Sequence, residues 1–283
     1  FDRVEFRHLR KTNSLGYSDK EWPTLKTKNE KRILCLGDSF TEGIGAEQDS
    51  TYPALLGALL RKNDSLFTIM NAGIASDDPV INFINYRDIL LKYKPDLIIQ
   101  SISTNDMNTD LVLRGGMERF LPDGTIKYHE APWWEPIYAV SNIARLFFSL
   151  AGYNEILLRP KDVMQKEGEM ANLIIGVLEQ YAVLAEKNGC KLLIVLQPLS
   201  GEISQKRYEY NFAKNFTRLN GVPNLYVYDL LPFFCDNIYK GNAKVSDYYW
   251  QLDGHNNAKG YYLMAESVRN AIDSFQFFRT KTT

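Results

Sequence analysis

The chain has 283 residues, a size that suits one large domain or one domain with a sizeable insertion. Hydrophobic residues make up 45% of it, enough for a substantial core, and the net charge is −1 with no long basic run. That balance gives no support to nucleic acid as a partner. The spacing of Cys35, Cys190 and Cys235 fits neither zinc nor a redox pair, so no metal or cofactor is predicted.

Short apolar runs alternate with helical patterns along most of the chain. Residues 1–30 are polar and mixed, and we expect them to form an arm packed on the domain edge. The predicted strands are 32–36, 67–71, 97–102, 191–196 and 225–229. The predicted helices are 53–62, 80–93, 165–188, 202–219 (lying on the surface) and 258–275. Such an alternation predicts an α/β fold, a three-layer α/β/α single domain over 31–283 with a central parallel five-stranded sheet.

The stretch 107–165 interrupts this alternation after the third strand. It is rich in turn residues and contains Trp133 and Trp134, which would be costly to leave exposed without a purpose. We interpret it as an insertion that lies over the mouth of the site, with both tryptophans as candidate substrate-binding residues. The alternative is a structural excursion that buries its aromatic side chains elsewhere.

Part of the insertion, 137–153, is the best candidate for a transmembrane helix. Ser141, Asn142 and Arg145 interrupt it, and it is too short to span a bilayer comfortably. We therefore interpret it as a core or lid helix and expect no transmembrane segment. Because the chain begins at Phe1, we interpret it as a trimmed or mature form.

Four polar or small residues follow the predicted strands at the point where a site would form. Ser39 follows the first strand, Gly73 the second and Asn105 the third, while His255 lies in the loop between the fifth strand and the last helix. Loops at the carboxyl ends of parallel strands gather on one edge of the sheet, where ligands bind. We therefore expect these four residues on the same rim.

The same residues lie in four short blocks: Gly37-Asp38-Ser39, Asn71-Ala72-Gly73, Ser103-Thr104-Asn105-Asp106 and Asp253-Gly254-His255. In this order, over about residues 30 to 270, they resemble the blocks of the SGNH (GDSL-type) hydrolases. The resemblance implies a flavodoxin-like fold and the hydrolysis of an ester.

The roles of the catalytic residues follow from their chemistry. Ser39 is a weak nucleophile unless a base takes its proton. His255 is predicted to be that base, because His8 lies in the arm and His129 in the insertion. Asp253 is predicted to orient the imidazole and to favour its charged form.

An oxyanion forms when Ser39 attacks a carbonyl group, and we expect three donors to stabilise it. They are the backbone N–H groups of Ser39 and Gly73 and the side-chain amide of Asn105. Gly73 has no side chain, which suits a backbone that approaches the substrate closely. Asp38 is a candidate substrate-binding residue, although Asp38 and Asp106 could instead anchor loops by accepting backbone N–H bonds.

Two departures from the family pattern matter. Ser103 stands where the third block usually has glycine, which affects the shape of that loop. The last block reads Asp-x-His where Asp-x-x-His is common, and this spacing resembles that of some polysaccharide O-acetyltransferases. Because the shorter spacing reorients the carboxylate, Asp247 is an alternative to Asp253 as the third triad member.

The predicted function is that of a serine esterase acting on a small acyl ester, acetyl above all, on a carbohydrate. One alternative is a polysaccharide O-acyltransferase in which a sugar hydroxyl replaces water, and another is a lipase or thioesterase. A phosphate-binding loop is disfavoured because 37–45 lacks the P-loop and Rossmann patterns. A non-catalytic carbohydrate-binding protein would not need Ser39 and His255. The predicted partner is a small-molecule or carbohydrate ester, and an exported bacterial protein, periplasmic or secreted, is the favoured location.

Overall fold

The computed structural model describes residues 3–62, 64–107, 111, 115–126, 133–151 and 166–278. The strands in this part of the chain are Lys31–Leu36 (β1), Phe67–Asn71 (β2), Leu97–Ile102 (β3), Lys191–Leu196 (β4) and Leu225–Asp229 (β5). They form one sheet in the order β2-β1-β3-β4-β5, with every neighbouring pair parallel. Their near-continuous apolar sequences suit strands covered on both faces. The predicted α/β fold with a parallel five-stranded sheet is confirmed.

Helices cover both faces of the sheet. The α-helices in the described residues are Ser39–Glu42 (α1), Tyr52–Arg61 (α2), Pro79–Asn85 (α3), Glu135–Val140 (α4), Asn142–Leu150 (α5), Glu167–Lys187 (α6), Ser200–Gln205 (α7), Phe212–Phe216 (α8), Leu231–Lys240 (α9) and Ala258–Ser274 (α10). The connections β1 to β2 and β2 to β3 cross the sheet in opposite directions, so right-handed crossovers place α2 and α3 on opposite faces. Accordingly, α2 packs on α10, and α3 packs on α6.

Three long predicted helices agree closely with the structure. The helix predicted over 80–93 is α3, continued by a π-helical turn at Tyr86–Leu90 and a 3-10 turn at Leu91–Tyr93. It ends where Lys94 adopts a left-handed conformation before Pro95. The helices predicted over 165–188 and 258–275 are α6 and α10, although residue 165 itself lies outside the described residues.

The continuous surface helix predicted over 202–219 is wrong. Lys206 and Tyr210 have φ angles of +56° and +54°, which end α7 and separate it from α8. Non-glycine residues adopt this left-handed conformation at an energetic cost, so propensity gives no warning of the two breaks. The segment does lie at the surface, with residues 204–207, 209, 211 and 214 exposed, and it packs on the core through the fully buried Ile203, Phe212 and Phe216.

Helix α9 is absent from the sequence-based prediction. It has Pro232 at its second position, where the missing N–H costs little, and it buries Leu231, Phe234 and Ile238. This spacing of apolar residues is typical of an amphipathic helix. The sequence therefore contains the pattern of this helix. However, α9 begins only two residues after β5 ends, so its first apolar residues read as a continuation of the strand.

The described part of the arm is attached to the body of the protein. The Asp19 carboxylate accepts the backbone N–H of Asn71 in β2 and the indole N–H of Trp22, each at 2.8 Å. Trp22 stacks on Tyr17 with 5.1 Å between ring centroids, and both side chains are buried. The arm is thereby fixed along the β2 side of the sheet.

The described parts of the insertion differ in how they are held. Arg119, only 2% exposed, donates to both carboxylate oxygens of Asp78 at 2.7 and 2.8 Å. Asp78 caps α3, so this ion pair ties the insertion to the loop that follows β2. Further along, α4 and α5 are separated at Ser141, within the stretch considered as a membrane span. No helix among the described residues is long and apolar enough to cross a bilayer.

Candidate active site

Ser39 is placed by the turn that ends β1. The Asp38 side chain caps α1 by accepting the backbone N–H of Phe40 at 3.0 Å, so the helix begins at Ser39 itself. The N–H of a first helical residue has no acceptor one turn earlier. Gly43 then ends α1 with φ +96°. The serine hydroxyl and its N–H are therefore held together on a short, rigid element at the carboxyl edge of the sheet.

His255 joins Ser39 to Asp253. The distance from His255 Nε2 to Ser39 Oγ is 2.7 Å, and that from His255 Nδ1 to Asp253 Oδ1 is 2.5 Å. The Phe40 ring packs on the imidazole with 4.7 Å between centroids. The structure thus brings the three predicted catalytic residues into contact, in the order that proton transfer from serine to histidine requires.

The loop that carries Asp253 and His255 is a tight turn. Gly254, between them, has φ +84°, a conformation that glycine adopts without steric cost. Its N–H donates to the Trp250 carbonyl at 2.9 Å, and the Trp250 N–H donates to the His255 carbonyl at 2.9 Å. The Trp250 indole N–H donates to the Gly45 carbonyl at 2.8 Å, which ties the loop to the segment after α1.

Asp247, the alternative third member, is engaged elsewhere. It ends a 3-10 turn, Val245–Asp247, and its carboxylate accepts the backbone N–H of Lys244 at 2.9 Å. Its carbonyl accepts the side-chain amide of Asn257 at 3.0 Å. The carboxylate in contact with the imidazole is therefore that of Asp253.

Gly73 lies where the loop after β2 packs closely against α1, the helix that begins at Ser39. A Cβ atom there would lie 2.3 Å from the Glu42 nitrogen and 2.7 Å from the Thr41 Cβ. We expect a glycine at position 73 because its backbone would approach the substrate closely. The structure adds a second reason, which is that its backbone packs closely against α1. The Gly73 N–H donates to Asn71 Oδ1 at 3.1 Å, so this predicted oxyanion donor already has an acceptor.

Asn105 lies in the 3-10 turn Thr104–Asp106 and is exposed. Its side chain makes no hydrogen bond to the residues that the structure describes. Ser103 caps the turn through its hydroxyl, and the Ser103 N–H donates to Asp106 Oδ2 at 2.6 Å. The serine that replaces the family's glycine therefore forms a capping box, which holds the loop and leaves the Asn105 amide available.

Asp38 and Asp106 both anchor loops through backbone N–H bonds, in agreement with the structural alternative for them. Burial raises the pKa of the Asp38 carboxyl. Burial also raises the pKa of Asp106 well above its usual range, and the nearby charge of Asp38 raises it further. The substrate-binding role of Asp38 stays a prediction.

The two tryptophans of the insertion have different surroundings. Trp133 is 85% exposed. Trp134 stacks on Phe148 in α5, with 4.2 Å between ring centroids. Their role in substrate binding, and the insertion's role as a lid, stay predictions.

Of the other two histidines, His8 lies in the arm, as predicted. His8 stacks on Phe6 in the arm at 4.8 Å, and His129 lies outside the described residues. Phe40, which packs on His255, and Trp250, which closes the turn around Gly254, are not singled out by the sequence pattern. Both residues lie close in sequence to Ser39 or His255, and this proximity could have been used to predict them.

In the described chain, no group of three or more His, Cys, Asp or Glu side chains is placed to hold a metal ion.

Comparison with protein families gives a match to the GDSL-like Lipase/Acylhydrolase family over residues 35–263, well over half of the chain. This range includes Ser39, Asp253 and His255. The fold and this match define the protein as a member of an acylhydrolase class. Within that class, the chain belongs to the GDSL-like lipase/acylhydrolase family, and the resemblance to the SGNH (GDSL-type) hydrolases is confirmed.

Solved structures with the same fold include two esterases. Axe2, an acetylxylan esterase from Geobacillus stearothermophilus, is 13% identical with a TM-score of 0.52, and the match covers 91% of this chain and all of Axe2. CEX, a two-domain esterase active on acetylated mannans, is 14% identical with a TM-score of 0.51. That match covers 90% of this chain and 52% of CEX, so this chain spans about half the length of CEX. A search of the curated proteins found no match.

Proposed function

We propose that the protein is a serine esterase that removes a small acyl group, acetyl above all, from a carbohydrate through Ser39, His255 and Asp253. The observation that carries the proposal is the 2.7 Å contact between Ser39 Oγ and His255 Nε2, with Asp253 on the other ring nitrogen. A serine becomes a competent nucleophile when a neighbouring base takes its proton.

The first half of the reaction acylates the enzyme. Ser39 Oγ attacks the ester carbonyl carbon while His255 Nε2 takes the hydroxyl proton, and Asp253 stabilises the resulting imidazolium through Nδ1–H. The tetrahedral intermediate collapses, and the C–O bond to the sugar breaks. His255 returns its proton to the departing sugar oxygen, so acyl-Ser39 and a free sugar hydroxyl remain.

The second half restores the enzyme. A water molecule gives its proton to His255 Nε2 and attacks the acyl carbon. The bond to Ser39 Oγ then breaks, and Oγ recovers a proton from His255, so the carboxylic acid leaves. In acyl transfer, a sugar hydroxyl takes the place of this water, and every other step is the same.

The oxyanion is held by groups at the exits of β1 and β3. Of the three expected donors, the Ser39 N–H and the exposed Asn105 amide have no other acceptor in the described chain. One donor of this kind is worth about 3 kcal/mol of transition-state stabilisation. The Gly73 N–H contributes if it is shared between the oxyanion and Asn71 Oδ1.

One observation favours a small acyl group on a carbohydrate over a lipid or a thioester. Axe2 and CEX share the fold, and their names describe them as esterases that act on acetylated xylan and acetylated mannans.

The test uses p-nitrophenyl acetate, butyrate and octanoate with the wild type, Ser39→Ala and the exposed control Ser65→Ala. We expect the acetyl ester to be cleaved fastest, and kcat of Ser39→Ala to fall by at least about 10⁴-fold. Ser65→Ala should match the wild type. Full activity in Ser39→Ala would refute the proposal.

A wild type that is inert on all three esters would favour acyl transfer. The same proteins are then given an acetyl donor and a sugar acceptor, and acetylated sugar is measured against free acetate. Ser39-dependent acetylation of the sugar would replace the esterase by an acyltransferase that uses the same site.

A further inference from the structure

The N-terminal arm reaches the loop that carries the catalytic histidine. Glu5 Oε1 accepts the backbone N–H of Gln251 at 3.0 Å, and Glu5 Oε2 accepts those of Leu252 and Asp253 at 2.8 and 2.9 Å. One carboxylate thus holds three consecutive N–H groups. Hydrogen bonds to an ionised acceptor are roughly twice as strong as neutral ones.

The loop has few other constraints at this point. Backbone hydrogen bonds hold Trp250, Gly254 and His255, as described above. For the N–H groups of residues 251–253, Glu5 is the acceptor within the described chain. The next residue of the arm, Phe6, is buried against the Trp250 ring with 5.4 Å between centroids. A polar and an apolar contact therefore attach the arm to the same turn.

The arm also touches the other half of the site. Arg10 forms an ion pair with Glu42, the last residue of α1, which begins at Ser39. The second oxygen of Glu42 accepts the backbone N–H of Ala75 at 2.7 Å, in the loop that contains Gly73. Arm residues 5–10 therefore link the histidine loop to the nucleophile's helix.

We propose that Glu5 is a positioning residue of the candidate active site: its carboxylate fixes the 251–253 turn so that Asp253 Oδ1 meets His255 Nδ1. The inference rests on the proposed esterase function. Misplacement of a catalytic group by about 1 Å can cost about 10²-fold in rate. Loss of Glu5 exposes the N–H groups of Gln251 and Leu252, both at the surface, to water. The cost to folding is therefore small, while the turn loses its anchor.

The test compares Glu5→Gln with Glu21→Gln in the full chain. Glu21 lies in the same arm and also accepts N–H and O–H bonds, from Ser14 at 2.6 and 2.8 Å, but does not contact the histidine loop. In Glu5→Gln, the amide NH₂ replaces one acceptor oxygen and the other oxygen loses its charge, so the turn is held less tightly. The first readout is the rate at which diisopropyl fluorophosphate labels Ser39, followed by mass spectrometry. This rate reports activation of the nucleophile without a sugar-binding step.

We expect Glu5→Gln to lower the labelling rate and kcat on p-nitrophenyl acetate by about 10- to 100-fold, with KM within about twofold. Its melting temperature should stay close to that of Glu21→Gln, and Glu21→Gln should label as the wild type does. Glu5→Asp keeps the charge on a shorter side chain and should give an intermediate rate. It also serves as the variant to compare if Glu5→Gln does not fold.

Labelling of Glu5→Gln or, failing that, Glu5→Asp at the wild-type rate would overturn the inference. So would a loss of activity matched by an equal loss of folded protein. The failure of the esterase proposal looks different, because Ser39→Ala would then keep the wild-type activity and Ser39 would not be labelled in any variant.

Discussion

Asp253 and His255 are separated in the chain by Gly254 alone, and their side chains meet, with 2.5 Å between Oδ1 and Nδ1. The turn between them is closed by the left-handed glycine and by reciprocal backbone hydrogen bonds with Trp250. The short Asp-x-His spacing therefore does not separate the carboxylate from the ring. It makes the contact depend on the conformation of one turn.

Replacement of Asp253 by asparagine should lower kcat by about 10⁴-fold, because the amide favours the wrong tautomer of His255. Asp247→Asn is the matched control and should keep wild-type kinetics, since Asp247 only caps its own turn. Steady-state hydrolysis of p-nitrophenyl acetate measures both. Equal losses in the two variants would remove Asp253 from the proposed triad.

Asn105→Ala should lower kcat by about 10²- to 10³-fold with little change in KM, because an oxyanion donor acts in the transition state. The exposed side chain makes no hydrogen bond within the described chain, so the melting temperature should not change. Asn105→Asp, which has nearly the same shape, should be slower still because its charge repels the oxyanion. An alanine variant with wild-type kcat would contradict the assignment.

Gly73→Ala should destabilise the protein by about 1–3 kcal/mol, the usual cost of forcing a methyl group into a packed site. The added Cβ would collide with the backbone of Glu42. Gly176→Ala is the opposite case: it lies inside α6 with open space around the new Cβ, and should stabilise by about 0.5–1 kcal/mol. Urea unfolding measures the change in stability of both variants. If Gly73→Ala does not change the free energy of unfolding, the loop after β2 moves to accommodate the added methyl group.

Asp77 should make stability depend on pH. Burial, aided by the charge of Asp78, raises the pKa of Asp77 from 3.8 to about 7. Between these values the folded protein binds more protons at this group than the unfolded chain does, so the free energy of unfolding falls as pH rises from about 4 to about 7. Asp77→Asn should remove this fall. Urea unfolding at about pH 5 and about pH 8 measures the free energy of unfolding of the wild type and of Asp77→Asn. If it changes equally with pH in both proteins, the prediction is contradicted.

Much of the site follows from the sequence because its parts lie at strand exits. Ser39, Gly73 and Asn105 each follow an apolar run, and the carboxyl ends of parallel strands meet at one edge. The breaks at Lys206 and Tyr210 could not be foreseen, because tertiary packing imposes their left-handed conformations on residues with no preference for them. Glu5 could not be foreseen either, since its partners lie about 250 residues away and a single glutamate carries no pattern.

The contact between the arm and the histidine loop also bears on how the protein should be handled. Arg3 lies beside Asp253, whose second oxygen is 4.0 Å from the Arg3 guanidinium. At the other end, Phe278 packs on Phe67 at the start of β2, on the sheet edge remote from Ser39. Changes to the arm near Arg3 therefore become part of what an activity assay measures, whereas changes near Phe278 lie away from the site.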